Sequence, residues 1–224
     1  MPHPLDILEA EAAKLTDAVA DLDETAWNLP TRCTPWRARD LLGHVRTVLA
    51  WLPAMLAAPS PDHALVSARD YYRRDGRFDA ETNAARVTLA VEAAARLDGP
   101  ALVADFTATW REAVALCRAE PDGRVVRTRH GDAMLLTDFL LTRVVEVAVH
   151  GLDLADALGR PSWLTDAAAS AVTGLLLDPT PFDRLAALGW DRETFVRKAT
   201  SRAALSEAEG GLVGGVGVRW VVLG

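Results

Sequence analysis

The stretch from Leu136 to Leu158 constrains this chain more than any other: it is apolar nearly all round, yet it carries Glu146 and His150 at its centre. Leu140, Leu141, Val144, Val145, Val147, Ala148, Val149, Leu152 and Leu154 leave no wide polar stripe, and a helix of that kind is buried. Gly159-Arg-Pro161 stops it, glycine being suited to a left-handed cap and proline barring further helix. An ionised carboxylate in such surroundings is costly without a counter-charge, so Glu146 requires a metal, an arginine or a protonation shift.

Residues at i and i+4 share a helix face, so the Glu146 carboxylate and the His150 imidazole can hold one ion without backbone strain. A catalytic zinc takes three protein ligands and keeps a position for water or substrate. The third donor must come from another segment, and His44, in the apolar run Leu41-Leu-Gly-His-Val45, is the best candidate. The competing arrangement makes Arg143 and Glu146 an i, i+3 ion pair and both histidines hydrogen-bonded core residues. Asp153 and Asp40 are spaced to orient the two imidazoles through their second nitrogens, although an acid at Asp40 is better explained by the helix N-terminus. Trp36 is a core anchor or a pocket wall. Arg143, if not tied to Glu146, is placed to clamp a substrate carboxylate. His3, His63 and His130 fall in a terminus or loops and are expected to be exposed.

A formal net charge of -7 argues against nucleic acid and acidic membranes as partners, since phosphate binding needs a concentrated positive surface. Aromatics are 6% of the chain and alanine is abundant, which favours close-packed helices over sheet. Cys33 and Cys117 form no C-x-x-C pair, which fits a reducing interior, and neither a signal peptide nor a membrane span is evident, so a cytoplasmic location is expected. Motifs for a serine nucleophile elbow, a phosphate loop, a dinucleotide fold or an H-E-x-x-H zinc site are missing.

Helical periodicity runs from Leu5 to Leu22, from Trp36 to Leu52, from Ala80 to Leu97, and from Ala101 to Ala119. Thr34-Pro35 reads as an N-cap and first-turn proline for the second of these, and Pro53 as its kink or end. Ala57 to Asp62 is a loop, Ser67 to Phe78 an irregular or short helical connection, and Val125 to His130 a short extended segment. Beyond Pro161 the tail is a satellite, with helices near 165–177 and 191–200 around Asp178-Pro-Thr-Pro181. The run Gly210 to Gly217 is too glycine-rich for a sturdy helix, and 218–223 is expected as a docked extended end.

The run Cys33-Thr-Pro-Trp-Arg-Ala-Arg-Asp-Leu-Leu-Gly-His-Val45, followed a hundred positions later by Arg143-Val-Val-Glu-Val-Ala-Val-His-Gly-Leu-Asp-Leu154, resembles the mycothiol-dependent maleylpyruvate isomerase family of the DinB/YfiT-like superfamily. The resemblance continues through Ala155-Asp-Ala-Leu-Gly-Arg-Pro161 and into Ala199-Thr-Ser-Arg-Ala-Ala-Leu-Ser-Glu207. It implies a mainly α protein, a DinB-like four-helix bundle over 1–160 with a small C-terminal subdomain over 161–224. It also implies a divalent metal, commonly zinc, at the positions of His44, Glu146 and His150. The implied activity is that of a metal- and mycothiol-dependent isomerase or S-transferase, in which a thiolate attacks a small electrophile. The alternatives are a helical binding protein without turnover and a thiol-independent metal hydrolase on the same fold.

Overall fold

The computed structural model describes residues 2–72, 80–177 and 188–213. The expected turn at 178–181 and the extended end at 218–223 lie outside those residues, as does the 73–78 part of the connection expected over 67–78. Four helices form the bundle: α1 (Pro4–Val19), α3 (Ala38–Leu49), α7 (Gly99–Arg118) and α8 (Leu136–Leu158). Each touches two of the others in a closed ring, α1 to α7, α7 to α3, α3 to α8 and α8 back to α1. A short α2 (Glu24–Trp27) precedes α3, and α4 (Leu52–Ala57) and α5 (Ala68–Tyr71) follow it. Helix α6 (Ala80–Ala95) lies along α3. Gly43 makes that approach possible, because a Cβ there would stand 2.9 Å from the Ala90 carbonyl oxygen.

Two departures from the sequence reading concern the entry and exit of α3. The peptide Thr34–Pro35 is cis, and the helix starts at Ala38 with Arg37 as its cap residue. Asp40 Oδ2 accepts the Arg37 backbone N–H at 2.9 Å, satisfying one of the donors that a helix start leaves unpaired. Pro53 does not end this helix. It occupies the first turn of α4, where a missing N–H costs nothing. The extended segment at Val125–Arg127 is a true strand, β1, paired antiparallel with β2 (Ala133–Leu135), a partner the periodicity did not reveal.

Helix α8 is capped by Gly159 in the left-handed conformation, φ 62°, as its sequence demands. From Thr142 to Ala155 every residue is buried except Glu146, which is half-buried. The chain then packs α9 (Asp166–Leu176) against α8 and α1, and α10 (Arg192–Ala199) against α9 and α8. Contrary to the glycine argument, Glu207–Val213 forms a short helix, α11. Its start is held by side chains: Glu209 Oε2 accepts from Ser206 N and from Lys198 Nζ, while Glu209 Oε1 accepts from Trp190 Nε1. No helix among the described residues is long and apolar enough to cross a membrane.

One buried acid ties α1 to α9. Glu11 is 1% exposed, and its Oε2 accepts the backbone N–H of Thr165, the N-cap residue of α9, at 3.0 Å. Its Oε1 has no hydrogen-bond partner. Burial pushes its pKa up to about 7, outweighing the opposing hydrogen bonds from Thr165. The folded chain therefore holds this proton up to about pH 7 and the unfolded chain only to about 4.5, so stability falls as pH rises through that window. Urea unfolding of Glu11→Gln between those limits should show a flatter pH dependence, by on the order of 2 kcal/mol across the window.

Candidate metal centre

Helices α3 and α8 bring the three expected donors together. His44 Nε2 lies 3.3 Å from Glu146 Oε2, and His150 Nε2 lies 3.5 Å from the same oxygen. The ligand atoms all fall within 4.8 Å of one another. Neighbouring ligands on a tetrahedral zinc with bonds near 2.0–2.1 Å are about 3.3 Å apart, so both measured edges suit such an ion. The two imidazoles meet edge to face at 5.0 Å, and Trp36 stacks on His44 with ring centroids 4.7 Å apart. His150 is 2% exposed, whereas the side chains of His44 and Glu146 are 10% and 13% exposed, so the cluster meets solvent on its His44–Glu146 side.

The orientation of His150 is fixed from behind. Its Nδ1 is 3.0 Å from Asp153 Oδ2, which leaves Nε2 aimed at the cluster. Asp153 is fully buried and is gripped in turn by Arg202, with Nε 3.0 Å from Oδ1 and Nη2 2.7 Å from Oδ2. The Cys33 thiol donates to Asp153 Oδ2 at 3.3 Å.

The electrostatics follow from this crowding. Burial alone would raise the Glu146 pKa, but its hydrogen bonds with His150 and His44 and the Arg143 charge hold it well below the ordinary carboxylate range. Burial would lower His150, yet Asp153, Cys33 and Glu146 together hold it well above the usual imidazole value. His44 is pushed down by burial, against its hydrogen bond to Glu146. Asp153 is held low despite burial by His150 and Arg202.

The remaining expected residues divide clearly. Asp153 does orient His150, but Asp40 does not orient His44, because its carboxylate is engaged at the α3 cap. Trp36 is both buried and part of the cluster wall. Arg143 is 1% exposed, which removes it from direct solvent contact. Its Nη2 stands 3.8 Å from Glu146 Oε1 and 3.5 Å from the Tyr71 hydroxyl, its Nη1 is 3.4 Å from the Val48 carbonyl, and its guanidinium lies over the Phe139 ring. It serves as the interior counter-charge to Glu146. A second group of possible donors, Cys33, His150 and Asp153, shares His150 with the first, but Arg202 already neutralises its carboxylate. The sequence reading missed Arg202. Its signal was its place in Ala199-Thr-Ser-Arg-Ala-Ala-Leu-Ser-Glu207, but nothing in that run specifies contact with residue 153.

The sequence profile of the mycothiol maleylpyruvate isomerase N-terminal domain matches residues 8–155, which span every donor named above except Arg202. The chain belongs to this family. No curated protein sequence matches this mycothiol maleylpyruvate isomerase family member. Among solved structures, its fold is similar to the crystal structure of the mycothiol-dependent maleylpyruvate isomerase and to that of a histidine-to-alanine mutant of it. The mutant gives TM-score 0.56 at 14% identity, and the other structure 0.53 at 15%. Each likeness covers 78% of this chain and 69% of the other.

The two rim residues, Glu146 and His44, should differ in what their loss does to the fold. Glu146→Ala strands the buried Arg143 guanidinium and should cost about 3 kcal/mol in chemical unfolding. His44→Ala removes a partly exposed imidazole and should cost only about 1 kcal/mol.

Proposed function

We propose that this chain is a metal- and mycothiol-dependent enzyme that isomerises, or transfers a thiol to, a small electrophile. The observation that carries the reading is the meeting of His44 Nε2 and His150 Nε2 at one Glu146 oxygen, with Asp153 occupying the far nitrogen of His150. Two neutral imidazoles and one carboxylate suit a divalent cation such as zinc and leave a fourth position for an exogenous ligand. A cation held there stabilises a bound thiolate over the thiol. Membership of the mycothiol maleylpyruvate isomerase family, and the likeness to a mycothiol-dependent isomerase, make mycothiol the natural thiol.

The chain's own residues would supply orientation and electrostatics. His44 and Glu146 present their ligand atoms at the solvent side, where small molecules can arrive, while the deeper His150 is held by a buried acid. The hydrogen bonds from His150 and His44, with the Arg143 charge beneath, keep Glu146 ionised, so the carboxylate stays available as a donor. Trp36 shields one flat face of His44 from water.

Metal analysis of the purified chain, coupled to titration with mycothiol before and after chelation, tests the proposal. The expected result is about one equivalent of metal and thiol binding that disappears with the metal. Thiol binding indifferent to chelation would favour a binding module, and turnover of substrate without thiol would favour a hydrolase. A pH dependence follows from His150. Asp153, Cys33 and Glu146 raise its pKa against the effect of burial, favouring the protonated imidazole, and a cation must displace that proton. Zinc affinity measured by calorimetry should therefore fall as pH is lowered, by up to about tenfold per unit, with about one proton released per ion bound.

A further inference from the structure

Helix α10 and the residues just after it reach back to α8 through two arginines. Arg197 places Nη1 3.0 and 2.9 Å from the two carboxylate oxygens of Asp156, a pair at the surface where Asp156 is 45% exposed. Arg202 meets Asp153, three positions earlier on α8, in a pair whose side chains are 3% and 0% exposed. The first pair docks one segment on another. The second does so at an acid that also meets the Cys33 thiol and the His150 imidazole of the candidate centre.

The backbone is shaped to deliver Arg202. Ser201 immediately before it sits at φ 62°, a left-handed conformation uncommon outside glycine, and the Ser201 carbonyl accepts from Arg32 Nη2. Arg202 Nη1 donates to the Thr200 carbonyl at 2.8 Å, which fixes the guanidinium plane while Nε and Nη2 face the Asp153 carboxylate side on. A guanidinium locked this way constrains both the position and the rotation of its carboxylate.

We propose that Arg202 is a positioning residue for the metal centre: by fixing Asp153 it fixes the ring of His150, so that ligand geometry in the bundle depends on a side chain from beyond the matched family segment. This rests on the reading of His44, Glu146 and His150 as metal ligands. Outer carboxylates of this sort, when lost, typically weaken metal binding about 10- to 100-fold. The same range is expected for removal of the cation that holds the carboxylate in place.

Arg197 provides the control, since a docking role alone would make the two arginines equivalent. Zinc affinity would be measured by competition with a chromophoric chelator for the unsubstituted chain, Arg202→Gln, Arg202→Lys and Arg197→Gln, with thermal melts of each and visible spectra of the cobalt-substituted forms. Arg202→Gln should weaken zinc about 10- to 100-fold and shift the cobalt bands. Arg202→Lys should recover part of the affinity, and Arg197→Gln should lower the melting temperature while leaving affinity and spectrum near those of the unsubstituted chain. If Arg202→Gln does not fold, Arg202→Lys carries the test, with affinity between the two limits expected. Zinc binding and spectra unchanged in every Arg202 variant, or altered equally by Arg197→Gln, would overturn the inference alone. Failure of the unsubstituted chain to bind zinc would overturn the ligand assignment and the inference with it.

Discussion

The structure depends on keeping one carboxylate ionised inside an apolar helix. Glu146 is surrounded by Val144, Val145, Val147 and Ala148 in sequence, and the charged or ionisable partners its own helix offers it are Arg143 and His150. Burying that charge is tolerable because three groups converge on it: a guanidinium 3.8 Å from one oxygen and two imidazole nitrogens 3.3 and 3.5 Å from the other. A charge compensated on both oxygens is cheap to keep and costly to expose on one side, since each partner removed leaves the rest unmatched. Partners on both α3 and α8 meet Glu146, and Gly43, beside His44, admits the close approach of α6 to α3.

Polarity around the cluster is arranged in depth. At the solvent side are His44 and Glu146; beneath them are Arg143, Tyr71 and Phe139; behind His150 are Asp153, Cys33 and Arg202. Each charged group is answered by one of opposite sign or by a hydrogen bond, so the interior carries several ionisable side chains without an isolated charge. The arrangement also separates two tasks that one arginine could not combine. Arg143 stands beside the Glu146 carboxylate, and Arg202 grips the acid that meets His150.

Much of this was legible in the sequence because it is written in short periods. Glu146, His150 and Asp153 lie on one helix, where spacings of three and four translate directly into neighbours, and Gly159 announces the end of that helix by its conformational freedom. The convergence of His44 was legible only as a demand for a third donor. The misreadings have separate causes: α3 begins where Asp40 accepts the Arg37 N–H, the helix through Gly210 begins where Glu209 accepts the Ser206 N–H, and Pro53 simply sits in the first turn of α4. Asp40 was spaced equally well for two roles, and a backbone N–H at 2.9 Å took it. Arg202 could not be foreseen, because an arginine's reach leaves no periodic trace, and its partner stands 49 positions away.

The separation of the donors along the chain has a consequence for how such a protein matures. His44 is 102 positions from Glu146, and a nascent chain that has not yet extended past residue 145 owns a single donor of the three. Closing so long a loop carries an entropic cost that only the packed helices repay. Under the proposed assignment of His44, Glu146 and His150 as ligands, the site is complete only once α3 and α8 have packed together.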